Sequence, residues 1–233
     1  MEADDPAARL AVLSTLGVME AFKALAPGFE AARGLRVVAE FAPTQRLLAR
    51  IAAGERAALA ILTAEAVEAL VAQGVLAPGS RVDIARSFVG AAVRAGAARP
   101  AIGTEAEFRQ ALLAARSIAY SRAGASGIFF AGLIRRLGIE AEVNAKATII
   151  PEGLTGALAA RGEAELAIQQ VSELMAVPGI DILGRLPPAL GGVAVFSGAV
   201  FAGARPEAAA LLAHLTAPAH RGLYVDGGLE PAF

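Results

Sequence analysis

Short apolar runs alternate with segments of helical period along almost the whole chain, and that alternation narrows the fold more than any other feature of the sequence. Residues 10–13, 35–41 and 59–62 read as strands. Between them, residues 18–29 place Val18, Met19, Phe22, Leu25 and Ala26 at helical spacing, and a second helix after Pro43-Thr44-Gln45 does the same with Leu47, Leu48 and Ile51. Residues 65–73 form a third helical stretch, and Gly34, Gly54 and Gly74 stand where these helices stop. Strand–helix repetition of this kind predicts a parallel sheet with helices on its faces.

The pattern then starts again. Residues 84–94 read as a strand carrying Arg86 and Ser87, followed by a small-residue loop over 96–103. A helix over 104–115 opens on a capping box, Thr104 with Glu107 three residues later. Strands are expected at 117–121, 147–150 and 165–169, with helices from Ser126-Gly127 to Leu137-Gly138 and over 155–160. A return strand at 193–201 and a helix at 206–215 complete the series. This is an α/β chain of two Rossmann-like lobes: residues 1–85 with 193–233 in one, 86–192 in the other, and crossovers near 85 and 192. A ligand cleft between the lobes is the expected site, because open α/β sheets bind ligands beyond the carboxyl ends of their strands.

Composition removes whole classes of function. Of the 233 residues, 56% are hydrophobic and 18% charged, which excludes disorder. A spanning helix needs about 20 uninterrupted apolar residues. The nearest run, 193–203, is broken by Ser197 and Gly198, so no transmembrane segment is expected. A formal net charge of −1 without a dense basic stretch argues against nucleic acid. Cysteine is absent and histidine is confined to His214 and His220, so thiolate metal sites, histidine metal sites and a Ser-His-Asp triad are not expected. No metal and no cofactor are expected. The leader Met1-Glu2-Ala3-Asp4-Asp5-Pro6 lacks the basic start and apolar stretch of a secretory signal. It is compatible with a cytoplasmic protein or with a signal already removed.

Strand ends therefore carry the candidate residues. Ser14-Thr15, Thr44-Gln45 and Ser126-Gly127 occupy equivalent places in successive strand–helix units. Hydroxyls and free amides at helix starts favour a bound anion, although Ser and Thr there also serve as ordinary caps. Ser121 ends a strand, and Gly124 and Gly127 flank Ser126, where backbone can approach a ligand. Arg86, next to Ser87, offers a guanidinium able to clamp a carboxylate; its alternatives are a surface position or an ion pair. Gln169, Gln170 and Ser172 end another strand and supply neutral hydrogen bonds. Arg122 reads as solvated, Glu152 as an exposed residue that is nonetheless one of few bases near the cleft, and Tyr120 as a core ring.

Several of these stretches in combination resemble a known family. They are Phe41-Ala42-Pro43-Thr44 through Ile51-Ala52-Ala53-Gly54, Ile61-Leu62-Thr63-Ala64-Glu65, Ser117-Ile118-Ala119-Tyr120-Ser121 with Gly124-Ala125-Ser126-Gly127-Ile128, and Gln169-Gln170-Val171-Ser172-Glu173-Leu174. The chain resembles the type 2 periplasmic solute-binding proteins of the molybdate-binding superfamily, in a branch of substrate-binding proteins of ABC transporters. The resemblance spans about residues 10–231 and implies two lobes closing on a small anion, with Thr15, Thr44 and Ser126 at binding positions. It also departs from the pattern. Molybdate binders carry Ala-Ala-Ser-Leu and Gly-Gly-Ser-Gly where this chain has Leu13-Ser14-Thr15-Leu16 and Ala42-Pro43-Thr44-Gln45, and often an Asp at Ala58. Oxyanion sites of the family are neutral, so an arginine in the cleft would indicate an organic carboxylate.

Two functions follow from the resemblance. One is a monomeric periplasmic receptor that traps an organic carboxylate or oxyanion for delivery to an ABC transporter permease. The other is an isomerase of an unsaturated tricarboxylate on the same scaffold, since the branch is similar to an aconitate isomerase. The effector domain of a transcription regulator is not expected, given the few residues ahead of the first strand.

Overall fold

A computed structural model of the protein describes residues 9–233; the acidic Asp4-Asp5-Pro6 lies outside the described residues. From the amino end the elements are β1 (Arg9–Ser14), α1 (Met19–Arg33), β2 (Arg36–Phe41), α2 (Thr44–Ala52), β3 (Leu59–Thr63), α3 (Ala64–Ala72) and β4 (Val82–Arg94). Next come α4 (Glu105–Ala114), β5 (Ile118–Ser121), α5 (Ala125–Arg136), α6 (Glu140–Asn144), β6 (Ala147–Ile150), α7 (Gly156–Ala160), β7 (Leu166–Gln170), α8 (Val171–Met175) and β8 (Ile180–Arg185). The last four are β9 (Val193–Val200), α9 (Glu207–Leu215), α10 (Arg221–Asp226) and β10 (Glu230–Pro231). The chain divides into two units, one of residues up to Arg86 together with Val195–Phe233 and one of Ser87–Ala194. It leaves the first unit inside β4 and re-enters it inside β9.

In the first unit β1 pairs in parallel with both β2 and β3, and β9 runs antiparallel on the far edge of β3. Helices α2 and α3 bring Leu47, Ile51, Val67 and Leu70 onto Leu13, Leu62 and Phe201. Each such side chain contributes about 1.5–3 kcal/mol when fully buried. Gly34 ends α1 at φ 63°, the left-handed region where a side chain is unfavourable, and its N–H donates to the Glu30 carbonyl. Pro27 lies inside α1 and removes one amide from its ladder without stopping it.

In the second unit β5 pairs in parallel with β6 and β7, while β4 runs antiparallel to β7 and β8 antiparallel to β4. Phe108 and Leu112 of α4 and Phe130, Leu133 and Ile134 of α5 pack with Val93, Ile118 and Ile168 of the sheet. The Tyr120 and Phe108 rings each meet Phe130 edge-on, with centroids 5.0 and 6.5 Å away.

Each sheet is thus mixed, where strand–helix alternation predicts a parallel one. Parallel neighbours require a crossover, usually a helix, and the strands that break the parallel order (β4, β8, β9 and β10) enter without that geometry. The sequence reading assigned no element to α6, α8, β8, α10 or β10, which run five, five, six, six and two residues.

Candidate functional site

Parallel strands bring their carboxyl ends to one edge of the first unit. Ser14 is in register with Phe41 on one side and Ile61 on the other. Beyond the strands, the Thr15 N–H donates to Ile61 O at 2.9 Å and the Ala42 N–H to Ser14 O at 3.1 Å. These bonds hold Ser14-Thr15, Pro43-Thr44 and Thr63 side by side. Ser14, Thr15 and Thr44 are buried. The ordinary use of such hydroxyls, accepting a hydrogen bond from the first turn of the helix, is not made. Thr15 precedes a 3₁₀ turn and Thr63 precedes α3, neither with a side-chain cap bond, and the cap of α2 is Pro43 rather than Thr44.

Ser14 Oγ instead donates to the Thr15 carbonyl at 3.1 Å. Thr44 Oγ1 is, among the described residues, the one buried side-chain oxygen without a hydrogen-bond partner. Leaving a buried hydroxyl unsatisfied costs about 1–3 kcal/mol, a cost that a bound acceptor would remove. Gln45, expected to share the site, is exposed on α2 and is not gathered with the buried hydroxyls.

The second unit repeats the arrangement on β5, β6 and β7, whose ends are Ser121, Ile150 and Gln170. Helix α5 is capped by Gly124, and its first amide to bond within the helix is that of Ile128, to Gly124 O at 3.0 Å. The amides of Ala125, Ser126 and Gly127 therefore have no acceptor inside the helix. Ser126 is buried in that first turn and Ser121 is buried beneath it. A Cβ on Gly127 would lie 1.7 Å from the Ser121 carbonyl oxygen. Glycine there serves the contact of α5 with β5. Ser87, fully buried, donates to Gln170 Oε1 at 2.9 Å and lies 3.4 Å from Ser172 Oγ. With its oxygen held by Ser87, the Gln170 amide offers its Nε2 donors to other partners.

Below these residues runs a buried polar chain. Gln169 Oε1 accepts from the Thr155 N–H at 2.7 Å and the Thr155 hydroxyl at 2.9 Å, and Gln169 Nε2 donates to Gly153 O at 3.0 Å. The Gln169 amide and the Gln170 backbone lie close enough to the Glu173 carboxyl to favour its charged form. Glu173 is 9% exposed and is the one Asp, Glu, Lys, Arg or His in the buried class among the described residues. Burial pushes its carboxyl up to about 7, against these two neighbours, which pull it down.

The other expected residues fall elsewhere. Arg86 is exposed and stands opposite Glu230 in the β4–β10 pair. Arg122 and Glu152 are exposed. The Tyr120 hydroxyl donates to Asn144 Oδ1 at 2.7 Å from a buried ring. Both histidines bond backbone carbonyls in the first unit, His214 at Leu25 O and His220 at His214 O. Two concavities of about 470 and 250 Å³ in the second unit lie where β5 and β7 begin, the opposite end from the hydroxyls. Arg116, which lines the larger, is already engaged by Glu165. Sequence reasoning gave no role to Glu173, Thr155 or Thr63. The available signal for Glu173 was its spacing, three residues past the strand-ending Gln170, where a carboxylate can reach back to cap a helix start.

Comparison with known proteins agrees with this architecture. The chain is 39% identical over 237 residues to an aconitate isomerase of a Pseudomonas species, covering 98% of this chain and 90% of that protein. The periplasmic molybdate-binding protein of Azotobacter vinelandii superposes with a TM-score of 0.78 at 19% identity, covering 94% and 98% of the two chains. The sulfate-binding protein SubI of Mycobacterium tuberculosis superposes at 0.74 with 16% identity, covering 96% and 87%. These likenesses establish the α/β periplasmic binding protein fold. The bacterial extracellular solute-binding protein model matches residues 10–230, and the chain belongs to that family.

Proposed function

We propose that this protein isomerises a small unsaturated tricarboxylate of the aconitate type, on a solute-binding scaffold, outside the cytoplasm. The observation that carries this reading is the 39% identity to an aconitate isomerase across nearly the full length of both proteins. The extracytoplasmic location rests on the family. Moving the double bond of such a substrate requires a proton to leave a carbon beside a carboxylate and another to arrive one allylic position away. The enzyme must therefore hold carboxylates, stabilise charge that spreads into one of them, and supply a base.

The strand-end groups suit the first two tasks. Thr15, Thr44, Ser121, Ser126 and the Gln170 amide are neutral donors beside helix starts, where unbonded amides and the positive end of the helix dipole favour negative charge. Neutral donors hold an anion without the strong ion pairing that would oppose product release. Incubation with pure cis- or trans-aconitate, followed by ultraviolet absorbance or proton NMR, tests the reading. Conversion of either isomer toward a common mixture is expected, and an unchanged isomer overturns it.

A second reading, a receptor that delivers a small anion to an ABC permease, is favoured by the partnerless Thr44 hydroxyl, which calls for an acceptor but not for chemistry. Its signature is a rise in melting temperature with aconitate or an oxyanion while the isomer ratio stays fixed.

A further inference from the structure

We infer that Glu173 is the catalytic base, taking the proton from the substrate's methylene carbon and returning it to the far carbon of the allylic unit. The inference rests on the isomerase reading and adds the residue that performs its chemistry. It begins from elimination. A base must stand at the carboxyl ends of the strands, be shielded from water, and not be tied to a cation. Glu40, beside the end of β2, is exposed and ion-paired with Arg50. Glu152, after β6, is exposed. The Tyr120 hydroxyl is engaged by Asn144, and both histidines are bound to backbone carbonyls on and beside α9. Glu173 is buried in the first turn after β7, within one turn of Gln170 and Ser172.

Its surroundings are built to hold it. The Gln169 amide beside it cannot rotate freely, because Thr155 fixes its oxygen and Gly153 its nitrogen. The other group that favours its charged form is backbone, that of Gln170. Both contacts are neutral, so the carboxylate is oriented without losing its basicity to an ion pair, and burial makes it a stronger base than an exposed glutamate.

The step balances without any co-reactant. The carboxylate forms an O–H bond as the methylene C–H bond breaks. That C–H electron pair becomes the new double bond to the central carbon, and the old double bond's pair moves to the far carbon and into its carboxylate. The Glu173 acid then gives its proton to the far carbon, which restores the carboxylate and leaves the double bond displaced by one position.

The test uses the full chain as wild type, Glu173→Gln, Glu173→Asp and Glu152→Gln, with aconitate followed by NMR in deuterated water. Glu173→Gln is expected to lose about 10²–10⁴-fold in kcat, while trans-aconitate still raises its melting temperature. Glu173→Asp is expected to recover part of the rate, and Glu152→Gln to match wild type. In wild type, which needs no variant to fold, kcat/KM is expected to climb with pH and level off above about 7. A Glu173→Gln enzyme with the wild-type rate, loss of activity in Glu152→Gln instead, or a wild-type profile flat from about pH 5 to 8 overturns the assignment while the isomerase reading stands. A wild type that leaves aconitate untouched overturns both.

Discussion

Thr44 and Glu173 are two buried polar residues whose settings cost the fold something, and in each the cost can be measured. Thr44→Val removes a hydroxyl that has no partner, so the variant is expected to be as stable as wild type or about 1 kcal/mol more stable in urea unfolding. The same variant is expected to bind aconitate about tenfold more weakly, which ligand-induced shifts in melting temperature would register. For Glu173 the sign follows from proton linkage. Its carboxyl lies at about 7 in the folded protein against 4.5 normally, so between these values the native state binds more protons than the unfolded chain. Stability is therefore expected to fall as pH rises from about 4.5 to 7, by about 3 kcal/mol in all. Glu173→Gln removes that slope. It is expected to be more stable than wild type by about that amount at pH 8 and equal to it near pH 4, as denaturant midpoints at the two pH values would show. The strand-end hydroxyls were legible in the sequence because helix starts have a residue signature. Glu173 was not, because a glutamate in a polar stretch reads as exposed, and only the folding of α7, β7 and α8 around it removes its water.

Elements test the packing that carries those residues. Gly127→Ala drives a methyl group into the Ser121 carbonyl, so α5 must lift from β5 at the point where Ser126 is held. The expected loss is about 1–3 kcal/mol or more in denaturant unfolding, larger than for an alanine elsewhere on an exposed helix face. By contrast, Thr104→Ala breaks a reciprocal cap in which Thr104 Oγ1 accepts from the Glu107 N–H and Glu107 accepts from the Thr104 N–H, and about 1 kcal/mol is expected to be lost with no effect on ligand binding. The capping box and most longer strands and helices were readable from the chain, since each shows at least one full period. The start of α5 was read at Ser126-Gly127 and lies at Ala125 behind a Gly124 cap, because the need for glycine at 127 arises from a contact across to β5. Strand direction was not readable for β4, β8 and β9, since alternation looks the same whichever way a strand runs.

At the scale of the whole molecule the family could be read from several short stretches together, while the ligand could not, because neutral hydroxyls and amides accept many anions. A saturating partner leaves a thermodynamic mark whatever it is. Trans-aconitate at about one hundred times its Kd is expected to raise the melting temperature by about 5–10 °C, and molybdate or sulfate by less. An equal or larger shift with molybdate would favour the receptor reading. The path of the chain through β4 and β9 has a further consequence for biosynthesis. Everything from Ser87 to Ala194 emerges from the ribosome before the residues that flank β3, so the continuous unit is synthesised whole while the discontinuous one is still missing a strand. Until Phe196–Val200 arrives, the nascent chain carries an open edge along Leu59–Thr63, which sets a window for chaperone capture and for misassembly.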